Sequence, residues 1–542
     1  MKLYRAIGRA LTEMGVPRLF GLMGDANMLY IAAYRDLNSE TAFVNSVHES
    51  GAVSMADGYA RMSGAVGYVS VTHGPGVTNA LTALTEAVRA RTPLVVLVGD
   101  TPNKREHNQW LDLPAAARLS GASFRRVRSA DDAIDDIALA SRIAATRRRP
   151  VVLDVPVEFM HQEVSATPPK FRPMGVENVA ISFDERALDE AAGLLASSNR
   201  PLILAGRGAV HSGARADLES MAEIVSAPLA TTLLAKDYFS AHAHNVGVFG
   251  TLSHSLASRY IAESDCVVAV GTSLHDFTTM NGELLAGKRL IQCDTDVSVL
   301  GMRRPTDVDV LSDAATFAAA MRSAMLEVKD SQPTRWISRL ISENRNFKAS
   351  DDFQDRSTDL TLDMRTAMLV LDKILPAERA VVTDLGRFYK AAWRYLRTEP
   401  LAFAHTGNFG SVGLGIATAV GAAVARPDRL TVAVVGDGGG LMGVTELTRA
   451  VASGLPMLIV VLNDGSYGAE YTALGRHGMN TDYSLLAWPS FARVAQGFGV
   501  EAVTVKNEAE LRALEPRLQH IDSPFLVDVQ ADPSVDPGAF NR

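Results

Sequence analysis

The sequence predicts an α/β protein built as three doubly wound parallel-sheet domains. Short, continuous β-branched runs alternate with Ala-rich helical stretches along the whole chain, and many of these runs end at a Gly, Asp or Asn. Unbroken apolar strands followed by helices belong to parallel sheets covered on both faces. Two composition shifts, both rich in Pro or polar residues, lie at His161 to Ala180 and Val328 to Asp359. They cut the chain into segments of about 1–165, 180–328 and 355–542, consistent with its 542 residues.

The elements follow in order. Leu3, Ile7, Leu11 and Met14 fall at helical spacing with Lys2, Arg5 and Arg9 between them, so the start reads as an amphipathic domain helix and not a signal peptide. Strands are predicted at Val66–Val71, Leu94–Val98 and Val151–Val155 in the first segment, and at Leu202–Ala205, Val267–Val270 and Leu290–Cys293 in the second. In the third they are predicted at Ala380–Thr383, Thr431–Val435 and Leu458–Leu462. A helix is expected around Trp336–Asn346, between polar connections. After Gly436 the sequence reads as one helix with Leu441, Val444, Leu447 and Val451 near one face.

Composition removes several classes. Hydrophobic residues are 47% and charged residues 21%, so neither a disordered nor a collagen-like chain is expected. A net charge of −8 lacks the footprint of a general nucleic-acid binder. The two cysteines, Cys266 and Cys293, have no CxxC or Cys/His company and read as small buried apolar residues of a reducing cytoplasm. Apolar runs such as Met457–Leu462 are strand-length, too short to cross a bilayer.

Ligands of parallel sheets sit beyond the carboxyl ends of the strands. There the strand TVAVV runs into Gly436-Asp437-Gly438-Gly439-Gly440, and MLIVVL runs into Asn463-Asp464-Gly465-Ser466. A Gly-rich turn into a helix brings backbone N–H groups to a phosphate. Two carboxylates at the ends of adjacent strands suit a hard cation. Each turn alone is an ordinary strand end; the pair points to a diphosphate with Mg²⁺.

At this point the chain resembles the thiamin diphosphate enzyme superfamily, closest in flavour to its acetolactate synthase and 2-oxo acid decarboxylase (benzoylformate and pyruvate decarboxylase-like) group. The resemblance covers essentially the whole chain. It implies a pyrimidine-binding first domain, a Rossmann-like central domain and a diphosphate- and Mg²⁺-binding third domain. It places Asp437, Asp464 and the Ser466 carbonyl on the metal, with Gly436, Gly438, Gly439, Tyr467 and Gly468 around the cofactor. Most relatives have Asn where Asp464 stands, so Asp464→Asn is expected to retain metal binding. Asn408 to Gly415 resembles the segment that cradles the aminopyrimidine, with the Gly410 carbonyl on its amino group and Val412 as the apolar support.

In the first segment, Glu49 opens E-x-x-A-x-x-x-A-x-G-Y-A-R, where the family's glutamate hydrogen-bonds N1′ of the pyrimidine. Gly24-Asp25-Ala26-Asn27 resembles a stretch whose aspartate is catalytic in pyruvate-decarboxylase-type enzymes, although an Asp there also makes an ordinary helix cap. His73, at a strand end, suits proton transfer, with a structural histidine as the competing reading. Glu470 stands at the offset of a decarboxylase glutamate, and equally as a solvated helix charge. The stretch Asn103–Leu113 offers His107, Gln109 and Asp112 without a settled register, and it has no His-His pair.

Gly206-Arg207-Gly208 and Gly247-Val248-Phe249-Gly250 are compatible with FAD, but Leu274-His275-Asp276 replaces the Arg-containing stretch expected to grip a flavin, so a required FAD is not favoured. The resemblance implies a thiamin diphosphate-dependent lyase or carboligase acting on a 2-oxo acid, as a homodimer or homotetramer with interfacial sites. Acetolactate synthase proper is the alternative within that class. A non-catalytic cofactor-binding relative and a flavin or nucleotide oxidoreductase are the alternatives outside it.

Overall fold

A computed structural model describes residues 1–101, 106–165, 167–172, 180–328 and 332–538. They form three six-stranded sheets, and every pair of neighbouring strands is parallel. The first holds β1 (Leu19–Gly21), β2 (Phe43–Asn45), β3 (Gly67–Val71), β4 (Leu94–Asp100), β5 (Ser123–Arg126) and β6 (Val151–Pro156), in the order β2-β1-β3-β4-β6-β5. The second holds β7 (Pro201–Ala205), β8 (Leu229–Thr231), β9 (Asn245–Val248), β10 (Cys266–Val270), β11 (Arg289–Asp294) and β12 (Val308–Leu311), in the order β12-β11-β10-β7-β8-β9. The third holds β13 (Arg379–Thr383), β14 (Phe403–His405), β15 (Leu430–Gly436), β16 (Met457–Asn463), β17 (Glu501–Val505) and β18 (Phe525–Gln530), in the order β14-β13-β15-β16-β18-β17.

The first and third sheets therefore have one topology. The strand order reverses between β1 and β3 in one and between β13 and β15 in the other. Loops leave such a point in opposite directions and open a crevice at the carboxyl ends. The second sheet has the order of a dinucleotide-binding fold. Gly206 and Gly208 serve internal packing: a Cβ on Gly206 would collide with the Gly271 carbonyl, and one on Gly208 would lie 2.7 Å from the Gly271 Cα.

The strands expected from the apolar runs are all present, each within a residue or two of its expected ends. The helix expected around Trp336–Asn346 spans Arg335–Asn346, and the first helix spans Leu3–Glu13. Residues 166, 173–179 and 329–331 of the two expected linkers lie outside the described residues. The stretch after Gly436 departs from expectation. It is three short pieces, Asp437–Met442, a 3-10 turn at Val444–Glu446 and Leu447–Ser453, and Val451 is exposed. The chain breaks at Gly443, which approaches the Gly413 carbonyl so closely that a Cβ would sit 2.8 Å away. The break turns Glu446 out to a buried position, where it accepts hydrogen bonds from the amides of Val47 and His48.

That contact joins the first and third domains. The Glu49–Ser63 helix also lies against the Gly415–Ala425 helix at backbone distance: a Cβ on Gly421 would collide with the Met55 carbonyl, and one on Gly58 with the Thr418 carbonyl. One hydrophobic cluster runs through both domains, from Met55 and Val69 to Val420, Val435 and Ile459. Cys266 and Cys293 are buried free thiols. Among the described residues no helix is long and apolar enough to cross a membrane.

Candidate functional site

At the carboxyl ends of β15 and β16, Gly436 stands opposite Leu462 and the two chains leave the sheet side by side. Asp437 and Asp464 converge there on Ser466. The Ser466 amide donates to Asp437 Oδ2 at 3.3 Å, and its hydroxyl donates to Asp464 Oδ1 at 2.6 Å. The Gly438 amide donates to Asp437 Oδ1 at 2.7 Å. Both carboxylates are buried. Burial first, and then the charge of Asp464, pushes the Asp437 carboxyl up to about 6. Two buried carboxylates on adjacent strand ends, meeting at one serine, are oxygen donors suited to a hard cation. Above them there is room: a Cβ on Gly438 would meet nothing nearer than Tyr467 at 3.8 Å and Trp488 at 4.0 Å.

A residue the sequence reading missed completes this group. Arg387 follows β13 at the point where the strand order reverses. Its Nη2 donates to Asp464 Oδ2 at 2.6 Å, and both side chains are buried. Its Nη1 donates to the Pro533 carbonyl at 2.8 Å and to Thr472 Oγ1 at 3.2 Å. The signal was available: the strand-end rule points to the D-L-G-R that follows β13 as it does to Gly436-Asp437.

The loop from Asn408 to Gly413 is held at both ends by buried carboxylates. Glu86, on the Pro75–Arg89 helix of the first domain, accepts from the Asn408 amide at 3.1 Å, the Asn408 side chain at 2.6 Å and the Phe409 amide at 2.6 Å. Asp384 accepts from the Gly413 amide and the Thr406 hydroxyl, each at 2.8 Å. Burial raises the Asp384 carboxyl. Between the anchors Gly410 takes φ +92, with open space where a Cβ would stand, and Val412 is exposed.

The first domain gathers a second group at its own reversal point, between β1 and β3. The Thr72 hydroxyl donates to Asp25 Oδ1 at 3.1 Å, and His73 Nδ1 lies 3.6 Å from the same oxygen. The His107 ring is 5.7 Å from that of His73. The Asn103–Leu113 stretch has no His-His pair of its own; its His107 meets His73 from a different loop. Asp25 caps no helix, because the adjacent helix starts at Met28 after Asn27. Glu49 is buried at the first turn of the Glu49–Ser63 helix, and Asn79 Nδ2 donates to its Oε2 at 3.0 Å. Gln109 passes its carbonyl against Gly74, which has φ +57, and Asp112 caps the Leu113–Ser120 helix through the Ala115 amide.

Burial holds the His73 imidazole below its ordinary value of 6.5; His107 lowers it further, while Asp25 and Asp100 raise it. The ring is therefore neutral at neutral pH. A nuclear magnetic resonance titration is expected to place its midpoint below 6.5. Asp25→Asn should move that midpoint further down, and His107→Ala should move it up. A midpoint unmoved by either change would show that the three groups do not interact.

Some expected members stay apart. Glu470 is exposed on the Gly468–Arg476 helix, and half-exposed Tyr467 stands edge-on to Trp488 at 6.2 Å. Among the described residues no hydrogen bond or ion pair joins Asp25, His73 or Glu49 to Asp437 or Asp464.

Three family models match the chain: the thiamine pyrophosphate enzyme N-terminal TPP binding domain over residues 1–118, the central domain over 188–321, and the C-terminal TPP binding domain over 384–529. A probable acetolactate synthase large subunit of Methanocaldococcus jannaschii is 28% identical, with 98% of this chain and 92% of that protein covered. A sulfoacetaldehyde acetyltransferase of Alcaligenes xylosoxydans xylosoxydans is 28% identical over 91% of this chain and 86% of its own. The solved structure of a thiamine diphosphate-dependent 4-hydroxybenzoylformate decarboxylase from Rhodococcus jostii superposes with a TM-score of 0.81, covering 98% of this chain and 99% of its own at 22% identity. At that identity the likeness shows the fold.

Proposed function

This chain belongs to the thiamine pyrophosphate enzyme family, and from that premise we propose that it uses thiamin diphosphate and Mg²⁺ to decarboxylate a 2-oxo acid, ending in protonation or in ligation to a second carbonyl. The observation that carries the metal and diphosphate part is the buried Asp437–Asp464 pair around Ser466, beside Gly438, where a Cβ would meet nothing nearer than Tyr467 at 3.8 Å. The residues fit the group: a cation satisfies two crowded carboxylates, and a glycine turn opening the Asp437–Met442 helix lets a diphosphate approach the backbone.

When bound, thiamin diphosphate supplies a carbon nucleophile and an electron sink. The chain's residues supply the rest. Asp437, Asp464 and the Ser466 carbonyl hold Mg²⁺, and Gly436, Gly438, Gly439, Tyr467 and Gly468 surround the diphosphate. The Gly410 carbonyl and Val412 orient the pyrimidine. Glu49 holds a proton at N1′ through one carboxylate oxygen, because Asn79 takes the other. Neutral His73, with Asp25 and His107 beside it, accepts or returns a proton over the substrate. Glu470 lies at the rim.

The site is completed by a second copy of the chain, as homodimer or homotetramer. In support, among the described residues Glu49 and His73 make no hydrogen bond or ion pair with the Asp437 group of their own chain. Around that group Phe409, Val412, Met442, Tyr467 and Leu485 are exposed apolar side chains, a surface that a partner chain would cover. Acetolactate synthase proper is the second reading, supported by the length over which such relatives match. The Asp25–His73–His107 group favours the decarboxylase-like reading, since proton transfer is the work it suits.

The test is CO₂ release from pyruvate, branched-chain, aromatic and phenylglyoxylate-type acids, each with and without an aldehyde acceptor. At least one acid should release CO₂, only in the presence of thiamin diphosphate and Mg²⁺. No release from any of them, with cofactor binding visible by circular dichroism, would overturn the proposal.

A further inference from the structure

We infer that Arg387 is a positioning residue for the cation end of the site. It neutralises Asp464, so that the two buried aspartates present one net negative charge and not two. The inference rests on the reading of Asp437 and Asp464 as the cation site. Its ground is an asymmetry between them. Asp437 has no ion-pair partner among the described residues; it is met by backbone amides, those of Gly438 and Ser466 among them. Asp464 differs in meeting a charged donor: the Ser466 hydroxyl takes Oδ1, and the Arg387 guanidinium takes Oδ2.

The guanidinium does not depend on Asp464 for its place. The Pro533 carbonyl and the Thr472 hydroxyl hold Nη1, and the Tyr471 ring lies 5.7 Å from its centre. Gly468 makes room for the pair: a Cβ there would stand 2.8 Å from Arg387 Nε and 3.2 Å from Asp464 Oδ2. A buried carboxylate added beside another is costly unless a fixed cation meets it. The strand-end loop of β13 supplies that cation, and a planar guanidinium suits it because its donors can serve a carboxylate and two other acceptors at once. Electrostatically, the Arg387–Asp464 pair leaves the site as a neutral oxygen ligand at 464 would.

Charge accounting gives a signature that a packing role does not. The probe is Mn²⁺ binding to cofactor-free protein, followed by the electron paramagnetic resonance signal of the free ion. Arg387→Gln leaves an extra negative charge and should tighten Mn²⁺ binding by roughly tenfold. Asp464→Asn leaves an extra positive charge and should weaken it by roughly the same factor without abolishing it. The double variant should return to within about threefold of the parent, and Arg387→Lys should stay near it. If Arg387→Gln does not fold, Asp464→Asn compared with the double variant carries the same sign, the double binding more tightly. Single changes that both weaken binding, or a double variant weaker than Asp464→Asn, would overturn the inference. Failure of the underlying reading looks different: the parent would take up no Mn²⁺, or Asp437→Ala would bind it like the parent.

Discussion

Replacing Glu49 by Gln is expected to lower kcat by about 10²–10⁴-fold while the protein keeps its fold and its affinity for thiamin diphosphate. The carboxylate is buried at the start of the Glu49–Ser63 helix, and its Oε2 already accepts from Asn79. Glutamine has the same shape and can offer Asn79 the same oxygen, so neither the helix start nor the packing of that helix on the third domain should change. What it loses is the ability to hold and release a proton at its other end. In the proposed reading that is the one step Glu49 performs, so the loss falls on turnover and not on binding. Steady-state kinetics with cofactor saturated, beside circular dichroism of the bound cofactor, separate the two. A variant with kcat near the parent's would remove Glu49 from the chemistry and leave it a buried helix residue.

Glu49 was legible because a sequence motif surrounds it, and Asp437 and Asp464 because each ends a strand whose apolar run announces itself. The same logic explains what was missed. Strands such as Leu19–Gly21 and Leu229–Thr231 are three residues long and carry no periodicity of their own; they exist because neighbours offer them hydrogen bonds. His107 meets His73 only after a loop folds back over Gly74, and adjacency in space has no trace in adjacency along the chain. Glu86 reads as one more charge on a helix until the third domain delivers the Asn408 and Phe409 amides to it. The single helix expected after Gly436 has the right apolar spacing. What breaks it is the close approach of Gly443 to Gly413 and the demand of the Val47 and His48 amides for the Glu446 carboxylate. These are tertiary causes, and they override local pattern where two domains meet.

Glu86→Ala should produce the opposite kinetic pattern to Glu49→Gln, and a large loss of order. Glu86 is 1% exposed and gathers three N–H donors from Asn408 and Phe409. Alanine removes the acceptor of all three half-buried hydrogen bonds, at about 1 kcal/mol each, leaving the Asn408 side chain only the His405 carbonyl, and it also removes a carboxylate 3.5 Å from Arg61. The segment that follows is free at Gly410 and Val412, so its geometry depends on the anchors on either side, and Asp384 holds only the Gly413 end. Hydrogen exchange at the Asn408 and Phe409 amides should rise by two or more orders of magnitude, as expected for about 3 kcal/mol of lost protection. If this loop cradles the pyrimidine, the concentration of thiamin diphosphate needed for half activity rises, while kcat at saturation falls little. Glu86→Gln keeps one acceptor oxygen and should lie between the two. Asn79 and Glu86 stand on one face of the same helix, two turns apart, one holding Glu49 and the other the loop. With sites completed by a second copy, that helix supports Glu49 for one site and the loop for another, and unchanged exchange at Asn408 and Phe409 in Glu86→Ala would show that Glu86 does not hold the loop.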